Sequence, residues 1–388
     1  MVDLIKLQSA FAKLATGEPR LFSAPGRVNL IGEHTDYNEG FVLPMAANLR
    51  TYVAAGHRSD GEVLVHSMDL NETASFSLNE NGSNSQTLPK SWVSYIQGIT
   101  RTLNLAGLNF GGANLAISSD VPIGAGLSSS AALEISVGFA LAEMAGREVS
   151  LLGLAKAAQE AEHMFVGTNS GLMDQLTAAF AEENHAMLID CRSLEMTQIP
   201  MGLPTTAIAI CDTRVKRALV SSAYNERRLE CEHAVELLRE KKPNIRALRD
   251  LEMDDLNVVE DLPEPERRRA RHVVTENERT LKAAKALRAS DADTLGKLMV
   301  QSHESLRDSF EVSCRELDLM FELALSQEGV SGARMMGGGF GGCTINLVDR
   351  EKVEMFVADM TVGYQLATGI VPLINVVQAG GGVSELVV

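Results

Sequence analysis

Residues 121–134, Val-Pro-Ile-Gly-Ala-Gly-Leu-Ser-Ser-Ser-Ala-Ala-Leu-Glu, constrain this chain more than any other segment. They follow a strand-like run, ANLAIS around Leu115, and lead into a stretch from Ser128 to about Phe180 whose apolar residues recur at helical spacing. A strand, a glycine turn and a helix must meet here. Gly124 and Gly126 allow a tight turn with no Cβ in the way, so backbone N–H groups can face an anion, and the helix dipole adds partial positive charge. One serine would serve as a helix N-cap; Ser128, Ser129 and Ser130 exceed that need and offer hydroxyls to phosphate oxygens or Mg²⁺. Two common phosphate-binding architectures fail their own tests. The chain contains no G-x-x-x-x-G-K-[ST], and neither H-R-D nor D-F-G. A G-x-G-x-x-G match at Gly337–Gly342 runs into the strand-like CTINLV rather than a helix, which does not suit a dinucleotide fold.

Around this junction, strands and helices alternate irregularly, which predicts an α+β fold rather than a doubly wound sheet. Strand-like runs occur at FVLP near Phe41, TYVAAG near Tyr52 and EVLVHS near Val63. The polar stretch from Asn71 to Pro89 reads as a solvent-facing hairpin followed by a loop. Short strands return near Ile199 to Cys211 among the breakers Pro200, Gly202 and Pro204, and a domain boundary is expected there, giving units 1–200 and 201–388. A long charged helical pattern spans Pro265 to Asp308, and strands around Thr344–Val348 and Leu373–Val377 close the chain.

A chain of 388 residues, 45% of them hydrophobic, can bury a large core. Its formal charge of −16 opposes nucleic acid and anionic membrane as partners, so any phosphate must be held by local dipoles, a cation and a placed arginine. Leu4, Leu7, Phe11 and Leu14 form one stripe of an amphipathic helix, unlike a signal peptide, and no run approaches the ~18 apolar residues of a membrane span. A cytoplasmic protein is expected. The five cysteines are widely spaced with no C-x-x-C and are expected to be reduced thiols, and no H-E-x-x-H is present.

Two further segments carry polar chemistry. In QEAEHMFVGTNSGLMDQ, Gln159 to Gln175, a helix bearing Glu160 and Glu162 leads through a glycine-containing loop to a second helix opening near Asp174. Residues i and i+2 do not share a helix face, so only one of the two glutamates can serve a site. Alone, Asp174 reads equally well as a first-turn helix acid. APGRVNLIGEHTDY, Ala24 to Tyr37, packs Arg27, Asn29, Glu33, His34 and Asp36 into a short stretch, a density that suits a polyhydroxylated ligand, although an Arg–Glu pair on a surface turn would look similar.

These segments, in this order, resemble the three motifs of the GHMP kinases. APGRVNLIGEHTDY resembles the first, VPIGAGLSSSAALE the ATP loop, and MMGGGFGGCTINLV near Met335 the C-terminal glycine motif. The extension Gly26–Pro44 resembles the signature of the galactokinase branch, and GLMDQ and ALVSSAYNERR carry the likeness along nearly the whole chain. The resemblance implies an N-terminal domain like ribosomal protein S5 domain 2 and a ferredoxin-like C-terminal domain, with the site between them. It implies Asp174 and Arg27 as catalytic residues, Ser130 and Glu162 as Mg²⁺ ligands, and Glu33, His34, Thr35, Asp36 and Tyr224 as contacts to D-galactose. Gly124, Ala125, Gly126, Leu127, Ser128, Ser129 and Ser130 would wrap the triphosphate of ATP, with Ser67 near the nucleotide. The expected reaction moves the γ-phosphoryl of ATP to the anomeric hydroxyl of galactose, in an enzyme expected to be monomeric. Rival readings are another acceptor within the family, or a galactose sensor without catalysis; intact GEHTDY and SSSAA, with Arg27 and Asp174 both present, favour the galactose kinase.

Overall fold

The amphipathic stripe at the N-terminus forms helix α1 (Leu4–Phe11), started by Asp3, whose carboxylate accepts the amides of Ile5 and Lys6 at 3.1 and 3.2 Å. The computed structural model describes residues 2–78, 91–147, 149–167, 170–215 and 220–387. Leu7 and Phe11 pack against the first sheet, built from β1 (Arg20–Asn29), β3 (Pro44–His57), β4 (Glu62–Ser67), β5 (Glu72–Ser77), β6 (Ala113–Ser119) and β13 (Ser384–Leu386). Its order is β13-β1-β3-β6-β4-β5, antiparallel throughout except for the β4–β6 pair. Alternation along the strands sorts the side chains. Leu21, Ala54 and Ala116 face α1, while Phe22, Val53, Val65, Leu115 and Ile117 face α2 (Trp92–Leu105), α3 (Ser129–Met144) and α4 (Leu151–Ala161).

Strand β1 runs through Pro25 and Gly26. The register against β3 shifts here, from Pro25 opposite Arg50 to Arg27 opposite Ala46, so the bulge lies in β3, between Ala46 and Arg50. Gly26 is needed there: a Cβ would stand 2.6 Å from the Leu127 carbonyl and 2.8 Å from Val121. The missing Cβ thereby lets the strand touch the glycine–serine junction, and the Arg27 amide bonds the Leu127 carbonyl at 3.0 Å.

After α4 the helix widens into one π turn (Glu162–Val166), and α5 (Met173–Phe180) follows. The small sheet β2-β7-β8 combines Phe41–Val42, His185–Asp190 and Glu195–Pro200. A second major sheet, fully antiparallel in the order β10-β11-β9-β12, contains β9 (Thr206–Asp212), β10 (Val330–Met336), β11 (Cys343–Asp349) and β12 (Leu373–Val377). One face carries α10 (Arg315–Leu325) and α11 (Val353–Thr368), with Phe321, Phe356, Met360 and Tyr364 buried between them. Against the other face lie α8 (Glu266–Arg288) and α9 (Ala292–Asp308), and the core formed there, including Ile210, Ile345, Leu287 and Met299, is continuous with Val28, Leu30, Leu43 and Leu127. Helices α6 (Val220–Leu238) and α7 (Leu256–Val259) pack on α8. The single helical pattern expected from Pro265 to Asp308 is thus two helices, α8 and α9, broken at Ala289–Asp291.

The hairpin expected after Asn71 begins earlier, as β4 and β5 with Asn71 at φ +52° in the turn. The loop expected to follow, residues 79–90, lies outside the described residues, as do Thr168 and Asn169 and the start of ALVSSAYNERR at Ala218 and Leu219. The run Gly380–Gly382 ties the chain end to the first sheet: Gly380 N bonds Ala46 O at 2.9 Å, and the Arg50 guanidinium bonds the carbonyls of Gly381 and Gly382 at 2.6 and 2.7 Å. No helix among the described residues is long and apolar enough to cross a membrane.

Helix α9 meets β10 at two facing glycines. A Cβ on Gly296 would lie 2.1 Å from the Ser331 carbonyl, against rigid backbone. Gly296→Ala, which elsewhere in a helix would stabilise by about 0.5–1 kcal/mol, should here destabilise by about 1–3 kcal/mol through overpacking. A lower urea midpoint at unchanged slope is the expected result.

Candidate active site

A cavity of ≈ 680 Å³ opens between the first sheet's helices and the glycine segment at the head of β11. The sequence-marked residues fall into it from segments far apart in the chain. Arg27, on β1 just past Gly26, is 6% exposed and points its guanidinium at Asp174 in the first turn of α5. The pair is bidentate, Nε to Oδ1 at 2.8 Å and Nη2 to Oδ2 at 3.1 Å, and the remaining nitrogen Nη1 donates to the Gly126 carbonyl at 2.5 Å. Ser128 sits at the N-cap position of α3 in the left-handed region, φ +55°. Its hydroxyl makes no cap hydrogen bond; it donates to Asp174 Oδ2. One aspartate therefore gathers strand β1, the phosphate loop and α5.

Gly124, Gly126, Ser128, Ser129 and Ser130 line the cavity. The two glycines have φ near +75°, as the turn requires. Ala125 and Leu127 do not reach the cavity: both are buried in the core, and they take part in the loop through their backbone. Behind the loop, Cys343 donates its thiol to the Ala125 carbonyl at 2.6 Å. Gly337 stands near Gly126, where an added Cβ would lie 3.7 Å from the Gly126 carbonyl oxygen, so the C-terminal glycine motif backs the glycine–serine loop and then enters β11.

Glu162 and Ser130 also face the cavity. The Glu162 carboxylate accepts from Ser170 Oγ at 2.9 Å and from the Ser130 hydroxyl. Burial pushes its pKa up, and the hydroxyl partners pull it back. Glu160, two residues earlier, is exposed, as helix geometry requires. Glu134, one turn beyond Ser130 on α3, is fully buried with both carboxyl oxygens unpartnered. Burial, then the charges of Glu162 and Asp174, push its pKa well up. Of these, Ser130 and Glu162 line the cavity and fit the partial protein shell of a divalent cation completed by water and phosphate; among the described residues no group of three or more His, Cys, Asp or Glu could hold a metal by itself.

At the opposite end are Glu33, His34, Asp36 and Tyr224. Glu33 is held tightly: Oε1 accepts from Arg334 Nη2 at 2.9 Å and from Gly337 N at 2.8 Å. His34 Nδ1 pairs with the Tyr37 hydroxyl at 2.8 Å, and burial drives its pKa down to about 3. The Asp36 carboxylate lies on Gly171, where a Cβ would approach Oδ2 to 2.0 Å. Burial, then the neighbouring charge of Asp174, raise Asp36 to about 6. Thr35 departs from the expectation of a sugar contact. Its side chain is wholly buried and donates to the carbonyls of Gly32 and Phe41 at 3.0 and 2.7 Å, closing the loop from within.

The third part of the cavity is apolar and was not marked by any motif. Leu70, Trp92, Tyr95, Ile117, Leu133 and Val166 form it, with Ser67 and Asp69 at one edge. Ser67 is buried and accepts the Leu70 amide at 3.3 Å; Asp69 accepts from Ser118 Oγ and Ser119 N at 2.9 and 2.7 Å. Trp92 is the chain's single tryptophan and stands one turn before Tyr95 on α2, a spacing visible in the sequence yet indistinguishable there from core packing.

Sequence comparison decides the family. Residues 9–57 match the galactokinase galactose-binding signature, 94–182 the GHMP kinases N-terminal domain and 283–361 the GHMP kinases C-terminal domain. The chain is 49% identical to a galactokinase of Chloroflexus aggregans, covering 99% of this chain and 98% of that one, and 45% identical to one of Roseiflexus sp., covering 100% and 98%. This chain belongs to the galactokinases. The crystal structure of Lactococcus lactis galactokinase complexed with galactose superposes with a TM-score of 0.93 at 37% identity, covering 99% of this chain and all of that one. Crystallised mevalonate kinase, at 20% identity over 92% of this chain and 98% of its own, shares the fold with a TM-score of 0.63. As a galactokinase, the chain is an ATP-dependent sugar kinase of α+β architecture.

The raised pKa of Asp36 carries a sign that can be checked. Because its folded value, about 6, exceeds the ordinary 3.8, its contribution to stability is complete below pH ~3.8 and is lost as pH rises through ~6. The urea midpoint of the wild type should therefore fall relative to that of Asp36→Asn between pH 5 and pH 7; parallel curves would contradict the assignment.

Proposed function

We propose that the cavity carries out γ-phosphoryl transfer from ATP to the C1 hydroxyl of α-D-galactose, with the sugar on Glu33, His34, Asp36 and Tyr224. The triphosphate lies along Gly124–Ser130, and the base in the apolar recess of Trp92, Tyr95 and Leu133. The observation that carries this reading is the bidentate Arg27–Asp174 pair, placed where the phosphate loop meets the sugar loop. Mg²⁺, held by Ser130 and Glu162, would supply charge neutralisation to the β- and γ-phosphates.

Asp174 receives the C1 proton, the sugar oxygen bonds to the γ-phosphorus, and the bond from that phosphorus to the β,γ-bridging oxygen breaks to release ADP. An ordinary carboxylate, of pKa about 4, is a weak base toward a sugar hydroxyl. In a loose phosphoryl transfer, positioning and charge stabilisation do more than early deprotonation. Asp174 thus orients the hydroxyl and accepts its proton late. Arg27 fixes the carboxylate with two bonds and places positive charge beside the developing negative charge. Its third bond, to the Gly126 carbonyl, ties the phosphate loop to the same pair. We further read the chain as two domains meeting near Met201, acting as a cytoplasmic monomer.

The decisive assay follows ADP release with Mg·ATP against galactose, N-acetylgalactosamine, glucose, homoserine and mevalonate, with and without a chelator. Turnover selective for galactose and stopped by the chelator is expected; turnover with another acceptor would replace the substrate. Arg27→Ala should lower kcat by about 10²–10³, and an unchanged kcat would remove Arg27 from the mechanism. Asp174→Asn should nearly abolish turnover while calorimetry still detects galactose binding, and wild-type turnover in that variant would refute the assignment.

A further inference from the structure

The sugar loop, residues 30–41, is held in part by its own hydrogen bonds, from Thr35 to Gly32 and Phe41 and from Asn38 to His34. Gly32 and His34 both have φ in the left-handed region, at +95° and +61°, and the second is costly for a residue with a side chain. Its backbone is also held from outside, by one face of α8. Glu276 on that helix is completely buried, and its Oε1 accepts the amides of Gly32 at 3.1 Å and Glu33 at 3.4 Å, together with the Ser302 hydroxyl at 2.6 Å. Its Oε2 pairs with Arg279 at 2.7 Å. One turn earlier, His272 Nε2 lies 3.1 Å from the Glu33 carbonyl, while its Nδ1 faces the Ser305 hydroxyl at 2.8 Å. Asn277 accepts the Phe41 amide at 2.9 Å, at the far end of the loop.

Residues 272, 276 and 280 lie on one helix face, with Asn277 beside them, and all four are buried. A buried helix face is normally apolar, and placing an imidazole, a carboxylate and an amide there is expensive unless each is satisfied by a specific partner. The partners here are largely the main-chain groups of the sugar loop. Burial alone would raise the Glu276 pKa, but Arg279 and its other partners hold it at about 2, so its charge stays fixed on those amides through the physiological range.

We infer that Glu276, with Asn277, is a positioning residue for galactose: the α8 carboxylate sets the backbone of Gly32–Glu33, and hence where Glu33, His34 and Asp36 meet the sugar. Neither residue lines the cavity. The inference rests on the reading that this loop binds the sugar. It makes the sugar end of the site dependent on a helix some 240 residues further along the chain.

The experiment measures steady-state kinetics, calorimetric galactose binding without ATP, and thermal melting for the full-length wild type, Glu276→Gln, Asn277→Ala and Asp36→Asn. Glutamine keeps the shape of Glu276 and removes the charge on the loop amides. Glu276→Gln should raise KM and Kd for galactose about tenfold or more, with KM for ATP within about twofold of wild type; Asn277→Ala should shift galactose alone in the same direction. A folded Glu276→Gln whose melting temperature falls while galactose KM and Kd stay at wild-type values would overturn the inference, since that is the signature of a purely structural role. An equal rise in both KM values would overturn it as well. Where Glu276→Gln gives no cooperative melt, Asn277→Ala decides by the same criteria. Unchanged galactose binding in Asp36→Asn would instead remove the underlying reading of the loop, whatever the α8 variants do.

Discussion

The Arg27–Asp174 pair is the interaction on which the arrangement of this site depends. A guanidinium that is 6% exposed must have its donors matched or it becomes a large cost, and here two bonds go to one carboxylate and one to a main-chain carbonyl. Those partners belong to α5 and to the phosphate loop, so satisfying one side chain brings both to strand β1. Ser128 strengthens the same node by donating to Asp174 from a backbone conformation that a non-glycine residue adopts only under constraint. The missing Cβ of Gly26 is what lets strand β1 come close to the loop before α3.

A second set of constraints comes from the C-terminal half of the chain. Arg334, fully buried on β10, donates to the carbonyls of Asn29 and Leu30 and to Glu33, while Gly337 and Cys343 support the sugar loop and the phosphate loop from behind. These polar contacts run alongside a continuous apolar core that joins β1 and the phosphate loop to α8, α9 and the second sheet. The apolar part supplies most of the driving force, because it is non-directional and scales with area. The hydrogen bonds supply register, because only one arrangement satisfies them all. Both ends of the cavity are thereby set in part by Arg334 and Cys343, which do not line it.

Much of this was legible in the sequence. The N-terminal stripe, the strands around Tyr52, Val63 and Leu115, the helix after Ser128 and the strand after Gly342 all follow local periodicity, and each was found where periodicity placed it. The motif residues Arg27, Glu33, His34, Asp36, Ser130, Glu162 and Asp174 converge on one cavity. Other features were hidden because no local rule distinguishes them. Pro25 and Gly26, residue types that usually weaken strands, lie within β1 through its pairing with β3. Thr35 sits amid ligand-facing residues yet turns inward. The π turn at Glu162 and the break between α8 and α9 interrupt patterns that read as continuous helix.

The amino-acid sequence by itself determined the family, and with it an ATP-dependent sugar kinase, through three motifs that hold a glycine–serine junction, a dense polar loop and a C-terminal glycine run. Those features are local, and a motif can carry them. Only the tertiary structure decided which acid the arginine meets, that Trp92 and Tyr95 line a recess rather than a core, and that Glu276 holds a loop 244 residues away. Such pairings depend on which surfaces close against each other once the apolar core has formed, and that information is distributed over the whole chain rather than written at any one position.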